Sequence, residues 1–272
     1  MIYNEDCKDT MRKMSSATVD VILTSPFYNT NKKAGKRSTL ENTVTQKGDY
    51  PWTRYDCHVD NMTENEYDNY TVDLFLWFDK ILKPNGVVLY NMSYGNENTN
   101  GMISAVDSVL KKTPFALADI IVWKKKNALP NNCSRNRLTR IVEFVYVFCR
   151  ASESGTFYTN KKVTSVRSNG QKMYENIFNF VEAANNDGSC NLNKATYSSE
   201  LCEKLLTIYC PHNGHVYDPF MGTGTTAVAC ERLRLQWTGS EISAKQVEYA
   251  NERIKKGKMS NEEPLQSNSS RY

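Results

Sequence analysis

The stretch Val216-Tyr217-Asp218-Pro219-Phe220-Met221-Gly222-Thr223-Gly224-Thr225-Thr226-Ala227 reads as a strand, a glycine-rich turn and the start of a helix. Gly222 and Gly224 let the backbone turn tightly and let a ligand approach it, and the helix amino end offers free N–H groups. Glu241 follows beyond the next strand, Leu235 to Thr238, where a carboxylate would grip ribose hydroxyls. Only about three elements come after the turn. A sheet built around it must therefore be completed by the amino-terminal half.

Working outward, the other half supplies what is missing. Met1 to Tyr3 reads as a short strand, Lys8 to Ser15 as a helix, and Val19 to Leu23 as a strand that stops at Thr24-Ser25-Pro26-Phe27-Tyr28. Apolar residues at helical spacing predict a helix from Tyr70 to Leu82, ended by Lys83-Pro84-Asn85-Gly86. A strand over 86–92, a helix over 99–112 and two β-rich runs, 115–123 and 140–149, follow. A helix over 198–209, the strand 215–217, and helices over 225–233 and 243–256 complete the set. Strands alternating with helices imply a mostly parallel α/β sheet. The two adjacent β-rich runs imply an antiparallel hairpin at one edge. We expect a single domain over 1–256 with a polar tail over 257–272. Two long polar stretches interrupt it, 29–70 and 151–191, and loops of that length usually carry function.

Composition narrows the class. The chain has 272 residues, 40% hydrophobic and 24% charged, with 16 Tyr, 10 Phe and 4 Trp, which suits a packed core. No apolar run is long enough to span a bilayer, and the amino terminus has no basic, apolar leader, so we expect a soluble cytoplasmic protein. Net charge is only +4. The basic residues are clustered, however: Lys32, Lys33, Lys36 and Arg37; Lys124 to Lys126; Arg135, Arg137 and Arg140; Lys161, Lys162 and Arg167. Such clusters suit phosphates or a plain solvated surface. The eight cysteines form no Cys-x-x-Cys and read as buried thiols. Cys210, His212 and His215 lack a second ligand pair, so no metal site is expected.

Two cofactors compete for the glycine turn. Gly222-x-Gly224-x-x-Ala227 satisfies the dinucleotide fingerprint of an NAD-dependent oxidoreductase. Against it, Asp218 at the strand tip would oppose a pyrophosphate, but it suits the ammonium group of S-adenosylmethionine. A structural strand–helix turn would also explain the motif alone. The second turn favours methyl transfer. An exocyclic base amine is a poor nucleophile, because its lone pair is conjugated into the ring. The Ser25 side chain and the Pro26 carbonyl could hold its two N–H bonds and aim the lone pair, a positioning strategy with no covalent intermediate. Phe27 and Tyr28 offer aromatic surface to a base drawn out of the stack. In isolation this tetrapeptide equally fits a strand-ending turn whose aromatics pack.

Together the two turns resemble the amino-methylating DNA methyltransferases of the β arrangement, in which the catalytic tetrapeptide precedes the cofactor turn. The resemblance runs from about Met1 to Lys256. Asn4-Glu5-Asp6-Cys7 is similar to the family's Asp-Cys element beside the cofactor adenine, and Thr24 to Tyr28 to its Thr-Ser-Pro-Pro-Tyr signature. Leu82 to Gly86 resembles its Leu-Lys-Pro-Gly-Gly turn, and 195–201, with Ser199, the segment bordering the methionine moiety. Asp218-Pro219-Phe220-x-Gly222-x-Gly224-Thr225-Thr226 matches its cofactor turn, and Gly239-Ser240-Glu241 its ribose carboxylate. The resemblance implies a circularly permuted Rossmann-like fold that binds S-adenosylmethionine through Asp6, Cys7, Ser25, Ser199, Asp218, Pro219, Phe220, Gly222, Gly224, Thr225, Thr226 and Glu241. Catalysis falls to Ser25, Pro26, Phe27 and Tyr28.

It further implies double-stranded DNA as partner, with Lys32, Lys33, Lys36, Arg37, Arg135, Arg137, Lys161 and Lys162 as DNA contacts, and the region 151–191 reading the target. A cognate restriction endonuclease and a monomer or homodimer accompany such enzymes. In this family a leading Ser goes more often with cytosine N4, and Asp with adenine N6, so N4 is the expected acceptor and N6 the alternative. Methylation at cytosine C5 needs a Cys after Pro, and none of the eight prolines is followed by one. Phe27 departs from the pattern, standing where the family has a second proline; a stiffness lost there leaves open a DNA-binding relic without activity.

Overall fold

Strands β2 (Val19–Thr24) and β9 (His215–Asp218) carry the two turns at their carboxyl ends, and they are hydrogen-bonded neighbours. The computed structural model describes residues 1–29, 62–93, 99–128, 135–136, 138–188, 192–193 and 196–262. Around the central pair an eight-stranded sheet runs in the order β1-β10-β9-β2-β3-β5-β4-β8. Its other strands are β1 (Ile2–Tyr3), β3 (Leu82–Met92), β4 (Phe115–Lys125), β5 (Val142–Arg150), β8 (Phe180–Ala183) and β10 (Gln236–Ser240). Strands β1, β10, β9, β2 and β3 pair in parallel. Strand β5 runs antiparallel to both β3 and β4. The expected hairpin of β4 and β5 is therefore present, but it does not form the sheet edge, because β8 pairs in parallel outside β4.

Successive residues of each central strand feed opposite layers, as the two-residue period of a strand demands. Val21, Leu23, Val87, Leu89, Val145 and Val147 pack with Leu201 and Leu205 of α4 (Ser199–Tyr209) and Ala229 of α5 (Thr225–Arg232). Ile22, Val88, Tyr90 and Phe148 pack with Met11 of α1 (Cys7–Lys13) and with Leu74, Phe75 and Phe78 of α2 (Glu64–Ile81). Helix α3 (Thr99–Lys112) lies against α2, and α6 (Ala244–Glu262) against α5. The sheet is thus buried on both faces, which is why its strands read as near-continuous apolar runs.

Three elements depart from expectation. Helix α2 begins at Glu64, not Tyr70, because Thr63 caps it: its hydroxyl accepts from the Glu66 backbone while the Glu66 carboxylate accepts from the Thr63 N–H. Helix α6 continues beyond 256 to Glu262. The stretch 151–191 contains a two-stranded ribbon, β6 (Val163–Val166) and β7 (Lys172–Tyr174), in which every β6 residue is exposed. No helix among the described residues is long and apolar enough to cross a membrane.

Candidate active site

On the β9 side the chain continues to β10, and on the β2 side to β3, so the strand order diverges between the two tips. Ligands of open α/β sheets bind at such a divergence, beyond the carboxyl ends of the strands. A cavity opens there. Its wall takes Glu5, Asp6 and Cys7 from the start of α1, Ser25 and Phe27 from the turn after β2, and Glu241 and Ile242 from the end of β10. Pro219, Phe220, Gly222 and Thr225 come from the glycine turn.

Each wall residue is held by its local structure. Asp6 caps α1, accepting from the Lys8 N–H at 2.8 Å. Glu241 accepts from the Gly222 N–H at 2.9 Å with one oxygen and from the Ser243 N–H at 2.8 Å with the other. That fixes its plane in the cavity wall, and an ionised carboxylate there can accept from a ligand hydroxyl. Gly222 has φ +52°, and a Cβ there would meet the Asn193 amide at 3.4 Å and the Gln246 amide at 3.5 Å. Gly224, at φ +83°, serves packing instead: a Cβ would sit 2.9 Å from the Ala250 Cβ of α6. Cys7 is buried, and burial, with the Asp6 charge next, pushes its thiol up to about 12, so it is a neutral wall group.

Several expected cofactor residues lie behind the wall. Asp218 is 1% exposed, and its carboxylate accepts from Thr24 Oγ1 at 2.7 Å, Tyr197 Oη at 3.2 Å, Thr226 Oγ1 and the Phe220 N–H. With four protein donors already on it, it does not face a ligand ammonium; it ties the tip of β2 to the glycine turn. Burial pushes the pKa of its carboxyl up, against the lowering pull of those donors. Ser199 is likewise buried, donating to Asp187 and accepting from Arg232, while its neighbours Thr196 and Tyr197 reach the cavity. Thr226 is spent on Asp218, and Pro26 and Tyr28 are not in the cavity wall.

The turn after β2 is held in an unforeseen way. Phe27 is 6% exposed and packs on Tyr67 (ring centroids 5.5 Å apart), Tyr70 (5.3 Å) and Phe220 (6.0 Å). Tyr67 Oη also donates to the Phe27 carbonyl at 2.7 Å. Tyr28 turns its hydroxyl inward, 3.0 Å from Ser25 Oγ, so in this conformation it presents no stacking face. Behind the pair stand Asn91, Glu143 and Lys125, of which the sequence singled out only Lys125, as a member of a basic run. Asn91 Nδ2 donates to Tyr28 Oη and to Glu143 Oε2, each at 3.0 Å, and Lys125 Nζ donates to Glu143 Oε1. They come from β3, β5 and β4, and strand pairing rather than any local motif assembles them.

Among the expected DNA contacts, Arg135, Lys161 and Lys162 are exposed, and the two lysines lead directly into β6. Lys32, Lys33, Lys36, Arg37 and Arg137 lie outside the described residues. The run Lys124 to Lys126 is not a free basic patch, since its members pair with Glu182, Glu143 and Glu200. His215, once weighed as a metal ligand, uses its ring nitrogens on Thr238 Oγ1 and the Thr18 carbonyl.

The family model for DNA methylases of the N6/N4 type matches residues 19–252, most of the chain. The chain belongs to the N6/N4 DNA methylase family. Among curated relatives, the type II methyltransferase M2.LlaDCHI of Lactococcus lactis subsp. cremoris is 21% identical over 257 residues, covering 94% of this chain and 90% of its own. Among solved structures, the cytosine-N4-specific PvuII DNA methyltransferase superposes with a TM-score of 0.65 at 16% identity, covering 94% of this chain and 90% of its own. The M1.HpyAVI complex with its cofactor gives 0.56 at 20% identity, over 93% and 97%. This N6/N4 methylase is accordingly an enzyme, and its cofactor is S-adenosylmethionine rather than NAD. The wall fits that cofactor: Glu241 for a ribose diol, apolar Phe220, Met221 and Ile242 for a base, and Thr196, Thr223 and Thr225 for an amino-acid end.

Proposed function

We propose that this chain is a site-specific DNA methyltransferase that methylates N4 of cytosine in double-stranded DNA. The observation that carries the reading is Ser25, a residue of the cavity wall whose hydroxyl lies 3.0 Å from Tyr28 Oη and 3.4 Å from Asn91 Nδ2. A neutral hydroxyl in that position, where the related signature elsewhere carries Asp, favours N4 over adenine N6. The structurally similar PvuII enzyme, which is cytosine-N4-specific, supports the same choice. S-adenosylmethionine, when bound, supplies an activated methyl group. The chain's own contribution is to position the acceptor. Ser25 Oγ and the Pro26 carbonyl accept the amine's two N–H bonds and turn its lone pair toward the cavity, while Phe27 in its aromatic nest keeps the turn rigid.

The region 151–191 is proposed to read the target, with the β6–β7 ribbon entering a groove. A major groove admits a two-stranded ribbon. The ribbon is flanked by Lys161 and Lys162, and its tip, 167–171, carries Arg167, Asn169 and Gln171, side-chain types that pair with guanine and adenine edges. The type II relatives support a place in restriction–modification beside a cognate endonuclease, acting as monomer or homodimer in a bacterial or phage-infected cytoplasm. Nucleoside mass spectrometry of unmethylated DNA, incubated with protein and S-adenosylmethionine, tests the reading: N4-methylcytosine is expected. N6-methyladenine would overturn the choice of base. Ser25→Ala should abolish transfer while leaving cofactor affinity within about twofold; equal loss of both would refute the positioning role.

A further inference from the structure

We infer that Glu143 is the terminal proton acceptor of methyl transfer, reached from the substrate amine through Ser25 Oγ and Tyr28 Oη; this rests on the proposed function. The inference starts from a bond that every amine methylation must break. As the amine nitrogen takes the methyl carbon from the donor sulfur, the carbon–sulfur electron pair stays with sulfur and the nitrogen is left positive. It then sheds one N–H proton. Ser25, a residue of the cavity wall, has its Oγ 3.0 Å from Tyr28 Oη, and Tyr28 Oη lies 3.5 Å from Glu143 Oε2. The amine proton passes to Ser25, the Ser25 proton to Tyr28, and the Tyr28 proton to the carboxylate. The charge that began on sulfur ends as a proton on Glu143. Contacts of this length commonly tighten once substrate is bound.

Asn91 shows that the carboxylate dictates this arrangement. A carboxylate only accepts, so the amide must turn its Nδ2 toward Glu143, and the second N–H then falls on Tyr28 Oη. The consequence is that Asn91 Oδ1 is left buried without a hydrogen-bond partner among the described residues. An unpaired buried carbonyl is unfavourable, and the site keeps it where the opposite rotamer would point an acceptor at an acceptor. With its N–H groups on the phenol and the carboxylate, the amide donates to the phenol oxygen, which itself lies between Ser25 Oγ and the Glu143 carboxylate. The titratable groups facing Glu143 are Lys125 of β4 and Tyr28; Lys125 balances the carboxylate charge from the side away from Asn91.

The test compares Glu143→Gln, Glu143→Asp and Tyr28→Phe with wild type in single-turnover methyl transfer across pH 5 to 9. For E143Q the rate is expected to fall by about 100-fold, as for loss of a general base. Cofactor and DNA affinities should stay within about twofold, and any pH dependence of the rate that the carboxylate carries should be gone. E143D, which keeps a carboxylate, should recover part of the rate and the pH dependence. A second readout needs neither cofactor nor DNA. With tyrosines labelled at the ring carbon bearing oxygen, the Tyr28 NMR signal, assigned by its loss in Y28F, should titrate at lower pH in E143Q than in wild type, because a neighbouring anion has been removed. An E143Q enzyme with wild-type rate and pH profile overturns the relay, as does a Tyr28 titration that E143Q leaves unmoved. If E143D loses rate, cofactor affinity and DNA affinity together with E143Q, the carboxylate is structural and the relay is refuted. A wild-type protein that transfers no methyl to DNA overturns the proposed function itself, whatever the Tyr28 signal does, and takes the relay with it.

Discussion

Phe27 makes the turn after β2 stiff by packing where a proline would do so by ring closure. Its ring is wedged among Tyr67, Tyr70 and Phe220, and Phe220 belongs to the cofactor turn, so one side chain fixes the two turns relative to each other. Truncating a buried Phe removes apolar contact and leaves a cavity, at about 3–5 kcal/mol in well-packed cores. Phe27→Ala should therefore lower the free energy of urea unfolding by about 3 kcal/mol, and Phe27→Pro should not restore it; a loss below about 1 kcal/mol would show that the nest is not what holds the turn. The same packing argues against a disabled relic, since the departure from proline comes with its own support. Cys7 gives a second residue-scale outcome. Burial and the Asp6 charge disfavour its thiolate, placing its titration near 12, while an exposed thiol ionises near 9. Iodoacetamide needs the thiolate. Peptide mapping at pH 8 should find Cys7 unlabelled in the folded protein and labelled after denaturation; fast labelling of the native chain would contradict the burial argument. At this scale the places of Ser25, Asp6, Gly222 and Glu241 in the cavity wall were legible in the sequence, because each stands at a turn or cap with its own local signal. Gly224, expected to meet the cofactor, packs on α6 instead. Asp218 was misread, since a carboxylate at a strand tip looks the same whether it faces a ligand or four protein donors.

Helix α2 is the element that the sequence pattern hid most. Its first two turns, 64–70, carry acidic and polar residues, so apolar spacing begins to register only at Tyr70. Yet Thr63 and Glu66 stand at the spacing of a capping box, a start signal that was present and overlooked. The early start matters to the site, because Tyr67 and Tyr70, both in those turns, are two of the three rings packed on Phe27. Thr63→Val removes the hydroxyl but keeps the shape. It should cost about 1 kcal/mol in urea unfolding and should loosen the Phe27 contact enough to slow methyl transfer more than it weakens cofactor binding. An unfolding midpoint equal to wild type would mean that the cap contributes nothing. The β6–β7 ribbon marks the opposite limit. Nothing in its short polar run announced strands, because a ribbon exposed on both faces lacks the apolar alternation that identifies half-buried ones. The grouping of strand-borne Asn91, Lys125 and Glu143 was invisible for another reason: each sits in an ordinary strand, and only the antiparallel register of β5 against β3 and β4 brings them together.

At the scale of the whole molecule, the cofactor cavity is closed by both ends of the chain. Glu5, Asp6 and Cys7 face Glu241 and Ile242 across it because β1 pairs in parallel with β10, joining Ile2 to Gly239 and Tyr3 to Ser240. The permuted order predicted from the two turns has this physical consequence: the sheet half that binds cofactor cannot form without the amino terminus, which completes its edge. Unfolding should then be one cooperative event that ligand shifts as a unit. A ligand that binds only the folded state at a hundred times its Kd adds about 2.7 kcal/mol. For a chain of this size each kcal/mol is worth about 2–4 °C in Tm, so saturating S-adenosylmethionine should raise a single calorimetric transition by about 5–10 °C. NAD at the same concentration should leave it unmoved. If two transitions appeared and only one moved, the amino-terminal strand and the cofactor half would be separate folding units, and the coupling drawn here from β1 and β10 would be wrong.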